Sequence, residues 1–141
     1  MKRRIISWFM ICIIMIMAIM PLTLHAAQKE PITPMWTNIF SLDAVITFNG
    51  RNGTFNIFVS GKSGVTNITA DVSLYWKNSS GVWQDTTRSW SYDVDQMTLS
   101  ASDSFTGVAG REYKIVVNGT VTKDGYTESF SKSATAVCPG T

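Results

Sequence analysis

Ile68-Thr69-Ala70-Asp71-Val72-Ser73-Leu74-Tyr75-Trp76 decides the fold: its odd members are apolar and, up to Ser73, its even members are polar. Side chains of a strand point to opposite faces at every step, so this run buries Ile68, Ala70, Val72, Leu74 and Trp76 on one face. Nine residues of such alternation predict a strand in the middle of a sheet. Its outward register contains Tyr75.

The same period recurs on either side. Leu42, Ala44, Ile46 and Phe48 mark a strand over residues 36–49, ended by Asn49-Gly50-Arg51-Asn52-Gly53, and Phe55, Ile57 and Val59 mark its antiparallel partner. Gly61-Lys62-Ser63-Gly64 is the next turn. Beyond Trp76, Asn78-Ser79-Ser80-Gly81 predicts a hairpin into a strand over residues 83–90. Tyr92-Asp93-Val94-Asp95 is expected to turn into a strand holding Met97, Leu99 and Ala101. Tyr113, Ile115, Val117, Gly119 and Val121 form the sixth strand, Asp124-Gly125 the following turn, and residues 127–137 the last strand. Asn118-Gly119 has turn chemistry of its own, but Asp124-Gly125 is better placed, so the sixth strand is expected to be continuous.

Seven strands with turns about every 8–12 residues describe an all-β fold: a seven-stranded antiparallel sandwich of the immunoglobulin or fibronectin kind. Trp76 on the third strand and Gly110-Arg111-Glu112-Tyr113 at the start of the sixth sharpen that expectation, since a tyrosine there can bond back to a neighbouring loop. The paired inter-sheet cysteines of antibody domains are absent. Fibronectin-type or other cysteine-free sandwiches are therefore favoured.

The chain opens on Met1-Lys2-Arg3-Arg4 and an apolar run over residues 5–20, closed by Pro21. That is the outline of a secretory signal peptide, with Ala26 or Ala27 as its last residue. The expected organisation is a leader over 1–27, an extended linker over 28–35 carrying Pro31 and Pro34, and a sandwich domain over 36–138. The protein is thus expected to be secreted. An uncleaved leader would instead anchor it in a membrane through residues 5–24, because the run approaches the ~17–25 residues that span a bilayer.

From Gln28 onward nine basic residues face ten acidic ones, a net charge of −1, and the bases are scattered singly. No nucleic acid is expected as partner. Cys138 is the sole cysteine after the leader, expected either as a free thiol in a loose tail or as an intermolecular bridge.

Ile32-Thr33-Pro34, Thr37-Asn38-Ile39, the Gly81-Val82-Trp83 hairpin and the tyrosine-led sixth strand together resemble an uncharacterised family of short exported immunoglobulin-like β-sandwich proteins of Gram-positive gut bacteria. Met35-Trp36 departs from the pattern, which has a basic residue before the aromatic one. The resemblance implies location and fold and carries no assigned activity.

Chemistry is mostly excluded. The only histidine, His25, lies in the leader, which leaves no imidazole for general-base, triad or metal-ligand roles. Gly61-Lys62-Ser63 has the order of a phosphate-binding loop, but Asn56 stands where the loop's first glycine belongs and a strand follows. No cofactor and no enzymatic activity are expected. Asp93, Asp95 and Asp103 could draw together as a calcium site or as a carboxylate pair cleaving a glycoside. The Asn-x-Ser/Thr triplets at Asn52, Asn67, Asn78 and Asn118 read as accidents of composition in a chain of this kind.

The positive signal is aromatic. Tyr75, Trp83, Trp90 and Tyr92 are the candidate binding residues, for a protein or glycan at the cell surface, provided they share an exposed face. Trp83 and Trp90 are separated by an odd step, which sends them to opposite faces unless a bulge intervenes.

Overall fold

The computed structural model describes residues 36–140. The leader, its cleavage at Ala26 or Ala27 and the linker over 28–35 lie outside the described residues. The strands are β1 (Ile39–Asn49), β2 (Asn52–Gly61), β3 (Val65–Lys77), β4 (Trp83–Val94), β5 (Thr98–Thr106), β6 (Glu112–Lys123) and β7 (Tyr126–Val137). All pairings are antiparallel, in a three-stranded sheet ordered β1-β2-β5 and a four-stranded sheet ordered β4-β3-β6-β7.

The Ile68 to Trp76 alternation is the spine of β3, which is paired on both sides. Ile68, Ala70, Val72 and Leu74 are buried, and Trp76 packs half-buried on the same face. They meet Phe55, Ile57 and Val59 of β2 and Leu99 of β5 from the facing sheet, and Ile115, Val117 and Val121 of β6 beside them. A core drawn from the inner faces of two antiparallel sheets is what holds a sandwich together. The fourth strand stays beside the third because the link between them is a tight hairpin. Asn78 Oδ1 accepts the Ser80 and Val82 amides, and Gly81 adopts φ +78°.

Turn chemistry also explains the continuity of β6. Asp124 and Gly125 both have positive φ, the geometry of a two-residue hairpin turn, and Lys123 pairs with Tyr126 across it. Gly119 is inside the strand for a different reason. A Cβ there would stand 2.1 Å from the Thr69 carbonyl and 2.5 Å from the Phe130 ring, so only glycine lets β3 and β7 close in.

Two expectations are corrected. Tyr92-Asp93-Val94 is the end of β4, and the chain turns at residues 95–97, because Tyr92 and Val94 continue the inward register of Trp90 and pack on the core. Cys138 is a free thiol, but it is fully buried instead of lying in a loose tail, and its backbone is tied on both sides: its amide donates to the Arg111 carbonyl, and its carbonyl accepts from Gly110. The segment around it is fixed in place, with Sγ 3.0 Å from where a Gly107 Cβ would be.

Two side chains pin the ends of the sandwich. The Tyr113 hydroxyl accepts the Val108 amide at 3.0 Å, the backward bond expected at the start of the sixth strand. Glu128 of β7 accepts the Thr37 amide at 2.8 Å and the Asn38 amide at 2.7 Å, joining β7 to the chain leading into β1 in the other sheet. Asp103 on β5 and Lys132 on β7 take inward registers, opposite Phe55 and Val117, yet remain exposed at their sheet edges. Such inward charges disfavour pairing of those edges with other chains.

Candidate functional site

The four candidate aromatics separate into two pairs. Trp90 and Tyr92 lie opposite Val72 and Ala70 and share their inward face. Trp90 meets Phe55 edge-on with ring centroids 4.8 Å apart, closing the core between β4 and β2. Tyr92 packs on the core with its hydroxyl buried, and that hydroxyl has no hydrogen-bond partner among the described residues. Burial raises its pKa above the ordinary tyrosine value, and the charge of Asp103 adds to the shift.

Tyr75 and Trp83 take the outward face. Tyr75 stands opposite Asp85 on β4 and Lys114 on β6, while Trp83 stands opposite Lys77. Trp83 and Trp90 are therefore on opposite faces, as odd spacing predicts, even though β4 is bulged between them. The chain runs four residues, Asp85 to Ser89, against the two-residue step from Ser73 to Tyr75. The surplus is even, so the parity of the faces survives.

The bulge places Thr87 at φ 61°, an uncommon conformation for a β-branched residue, and local bonds hold it there. Asp85 Oδ1 accepts the Thr87 amide at 2.7 Å. The Thr86 hydroxyl donates to the Leu74 carbonyl at 2.8 Å, replacing the strand partner that the bulge removes.

Around the outward pair the sheet gathers charge that composition did not single out. Lys114 Nζ lies 4.5 Å from the Trp83 ring centroid and 5.3 Å from that of Tyr75. Lys77 Nζ lies 5.2 Å from the Trp83 centroid and 2.9 Å from Glu112 Oε2. All five residues are half-buried. An ammonium near an aromatic face is attracted by the ring's negative π-surface, at roughly 0.5–1 kcal/mol for a solvated pair. Tyr75, Lys77, Trp83, Glu112 and Lys114 thus make one ordered patch on the outer face of β4, β3 and β6. Sequence reasoning missed Lys77, Glu112 and Lys114. The step from Tyr75 to Lys77 was visible as a shared face, but Lys114 joins only through the β3–β6 register.

A separate cation–ring contact, Arg111 Cζ 4.1 Å from the Trp76 centroid, covers an edge of the core. The acids do not converge in threes. Asn67 Nδ2 donates to Asp93 at 2.6 Å and to Asp95 at 3.0 Å on the outer face, while Asp103 takes the inward register of β5 in the other sheet. Among the described residues, no group of three or more His, Cys, Asp or Glu side chains is placed to hold a metal ion, and no helix is long and apolar enough to cross a membrane.

No family model matches the chain, and no match was found among curated proteins. Among solved structures, the chain is similar to the β-glucuronidase of Parabacteroides merdae, at a TM-score of 0.40 and 14% identity, over 70% of this chain and 13% of that one. It is likewise similar to the same enzyme with glycerol in its active site, at a TM-score of 0.39 and 14% identity, over 68% of this chain and 13% of that one. The chain thus spans about an eighth of the enzyme's length.

Proposed function

We propose that this chain is an exported, non-enzymatic β-sandwich module that binds a protein or other component of a cell surface through the outer face of its four-stranded sheet. The observation that carries the reading is the pairing of Tyr75 and Trp83 on that face with the ammonium groups of Lys77 and Lys114 between and over them. Half-exposed aromatic rings in an ordered setting are what binding surfaces are enriched in, because they present large area at little entropic cost. Export rests on the basic, apolar leader and on the resemblance to short exported sandwich proteins. The lack of histidine after the leader supports a non-enzymatic role. The separation of Asp103 from Asp93 and Asp95 does not favour a carboxylate-dependent glycosidase.

Carbohydrate binding is the second reading, favoured by the shared face of Tyr75 and Trp83. The test is retention of the protein, recovered from a secreting host, on an array of polysaccharides, peptidoglycan and surface proteins. Trp83→Ala should lose the retained spots. A folded Trp90→Ala variant should keep them. Retention that ignores Trp83, or no retention at all, would overturn the proposal.

A further inference from the structure

We infer that the Tyr75–Lys77–Trp83–Lys114 patch is a subsite for a carboxylate-bearing polysaccharide, an inference that rests on the binding role proposed above. Its starting point is an imbalance between the two lysines. Lys77 has its counter-charge in Glu112 at 2.9 Å, the one ion pair among the described residues. Lys114 is half-buried, held against two rings, and has no carboxylate within ion-pair distance and no hydrogen bond to another described residue. Glu112 and Asp85 share this face, but Glu112 is engaged by Lys77 and neither carboxylate reaches Lys114; an ammonium that is partly desolvated and fixed in position, with no carboxylate in contact, favours an incoming anion more than a freely solvated lysine does.

The ammonium groups favour a charged sugar over a neutral one. Lys114 and Lys77 lie 4.5 Å and 5.2 Å from the Trp83 centroid, so a sugar on the exposed part of that ring comes beside two ammonium groups that a carboxylate can engage and a neutral ring cannot. A uronate ring approaching there would put its carboxylate on the ammonium groups and its apolar C–H face against the exposed parts of Trp83 and Tyr75.

Location argues against an acidic peptide. An extended peptide gains most of its affinity by adding to an open strand edge. β4, which carries Trp83, is an edge strand, but Lys77 and Lys114 stand on β3 and β6, interior strands whose backbone groups are paired on both sides, and Lys114 is two strands away from that edge. Recognition at this patch falls to side chains alone. Beside the lysines, the outward register continues through Ser73, Ser89, Ser133 and Thr135, hydroxyls suited to a hydroxyl-rich chain. The far end of the same face carries Asp71, Asp93 and Asp95, which repel a polyanion and confine it to the Lys114 end.

The test is migration of the exported protein through native gels containing polygalacturonate, its methyl ester, dextran or polyglutamate. Retardation is expected in polygalacturonate alone and should fade as salt is raised. Lys114→Gln should weaken it by on the order of tenfold, the worth of one charge-assisted contact. Lys132→Gln, on β7 outside the patch, should leave it unchanged, and equal denaturation midpoints show that the variants are folded. Equal retardation by the methyl ester, indifference to Lys114→Gln, or stronger retardation by polyglutamate would overturn the inference and leave the binding module standing. No retardation by any probe also overturns it, and the module reading falls as well only if the surface array is blank.

Discussion

Lys114 Nζ on β6 lies 4.5 Å from the ring centroid of Trp83 on β4, although β3 runs between the two strands. The contact crosses the outer face of the sheet, away from the core, whereas Trp90, seven residues further along β4, meets Phe55 inside it. One strand thus carries one tryptophan for each face.

The two should behave differently when truncated. Trp90→Ala is expected to cost about 3 kcal/mol of unfolding free energy, through the cavity left beside Phe55. Trp83→Ala should cost no more than about 1 kcal/mol, the scale of its cation–π contacts. Urea titrations of both variants measure this, and equal losses would mean the faces are wrongly assigned.

Tyr113→Phe removes the acceptor of the Val108 amide while keeping the ring among Phe48 and Phe105. A loss of about 1–2 kcal/mol is expected, the scale for leaving a part-buried donor unmet. No change in the denaturation midpoint would show that water replaces the hydroxyl.

Glu128→Ala should loosen a defined stretch. The Thr37 and Asn38 amides lose their shared carboxylate, so their hydrogen exchange is expected to accelerate while amides within β3 and β6 stay protected. Uniform acceleration across the domain would contradict a local clamp.

Cys138 should react with a maleimide only when the domain unfolds, because it is wholly buried and its backbone is bonded to Gly110 and Arg111. Rapid labelling of the native protein, or a disulfide-linked dimer under mild oxidation, would contradict its placement.

The Tyr92 hydroxyl supplies a pH dependence. Burial, aided by the negative charge of Asp103, raises its pKa in the folded chain above the value of about 10 it has when unfolded. The folded state then holds this proton more tightly. Its contribution to stability is complete below about pH 10 and is lost as pH rises through the folded pKa. Tyr92→Phe should remove that alkaline decline and be neutral or mildly stabilising near pH 7, since it deletes a buried hydroxyl that has no hydrogen-bond partner among the described residues. A decline that persists in the variant would assign it to another group.

The strands and their turns were legible because both are written locally. Period-two alternation set the faces of β1, β2, β3 and β6, and Asp124-Gly125 fixed the last hairpin. The end of β4 was not legible, since Tyr92-Asp93-Val94-Asp95 has turn-like residues and only the core receiving Tyr92 and Val94 makes it strand. The site was half visible. Tyr75 and Trp83 could be named from spacing, but Lys114 and Glu112 lie more than 25 residues further along the chain and reach the patch through the β3–β6 register. Burial of Cys138 was hidden for the same reason: it packs beside Gly107 and is bonded to Gly110 and Arg111, all from a distant part of the chain.

The most direct test of the outer face as the binding surface is amide chemical-shift mapping of the labelled protein during titration with polygalacturonate fragments. The account predicts perturbations centred on Tyr75, Lys77, Trp83 and Lys114 and fading toward Asp93. Perturbations centred instead on Thr54, Asn56, Phe58 and Ser100, the outer face of the three-stranded sheet, would contradict it.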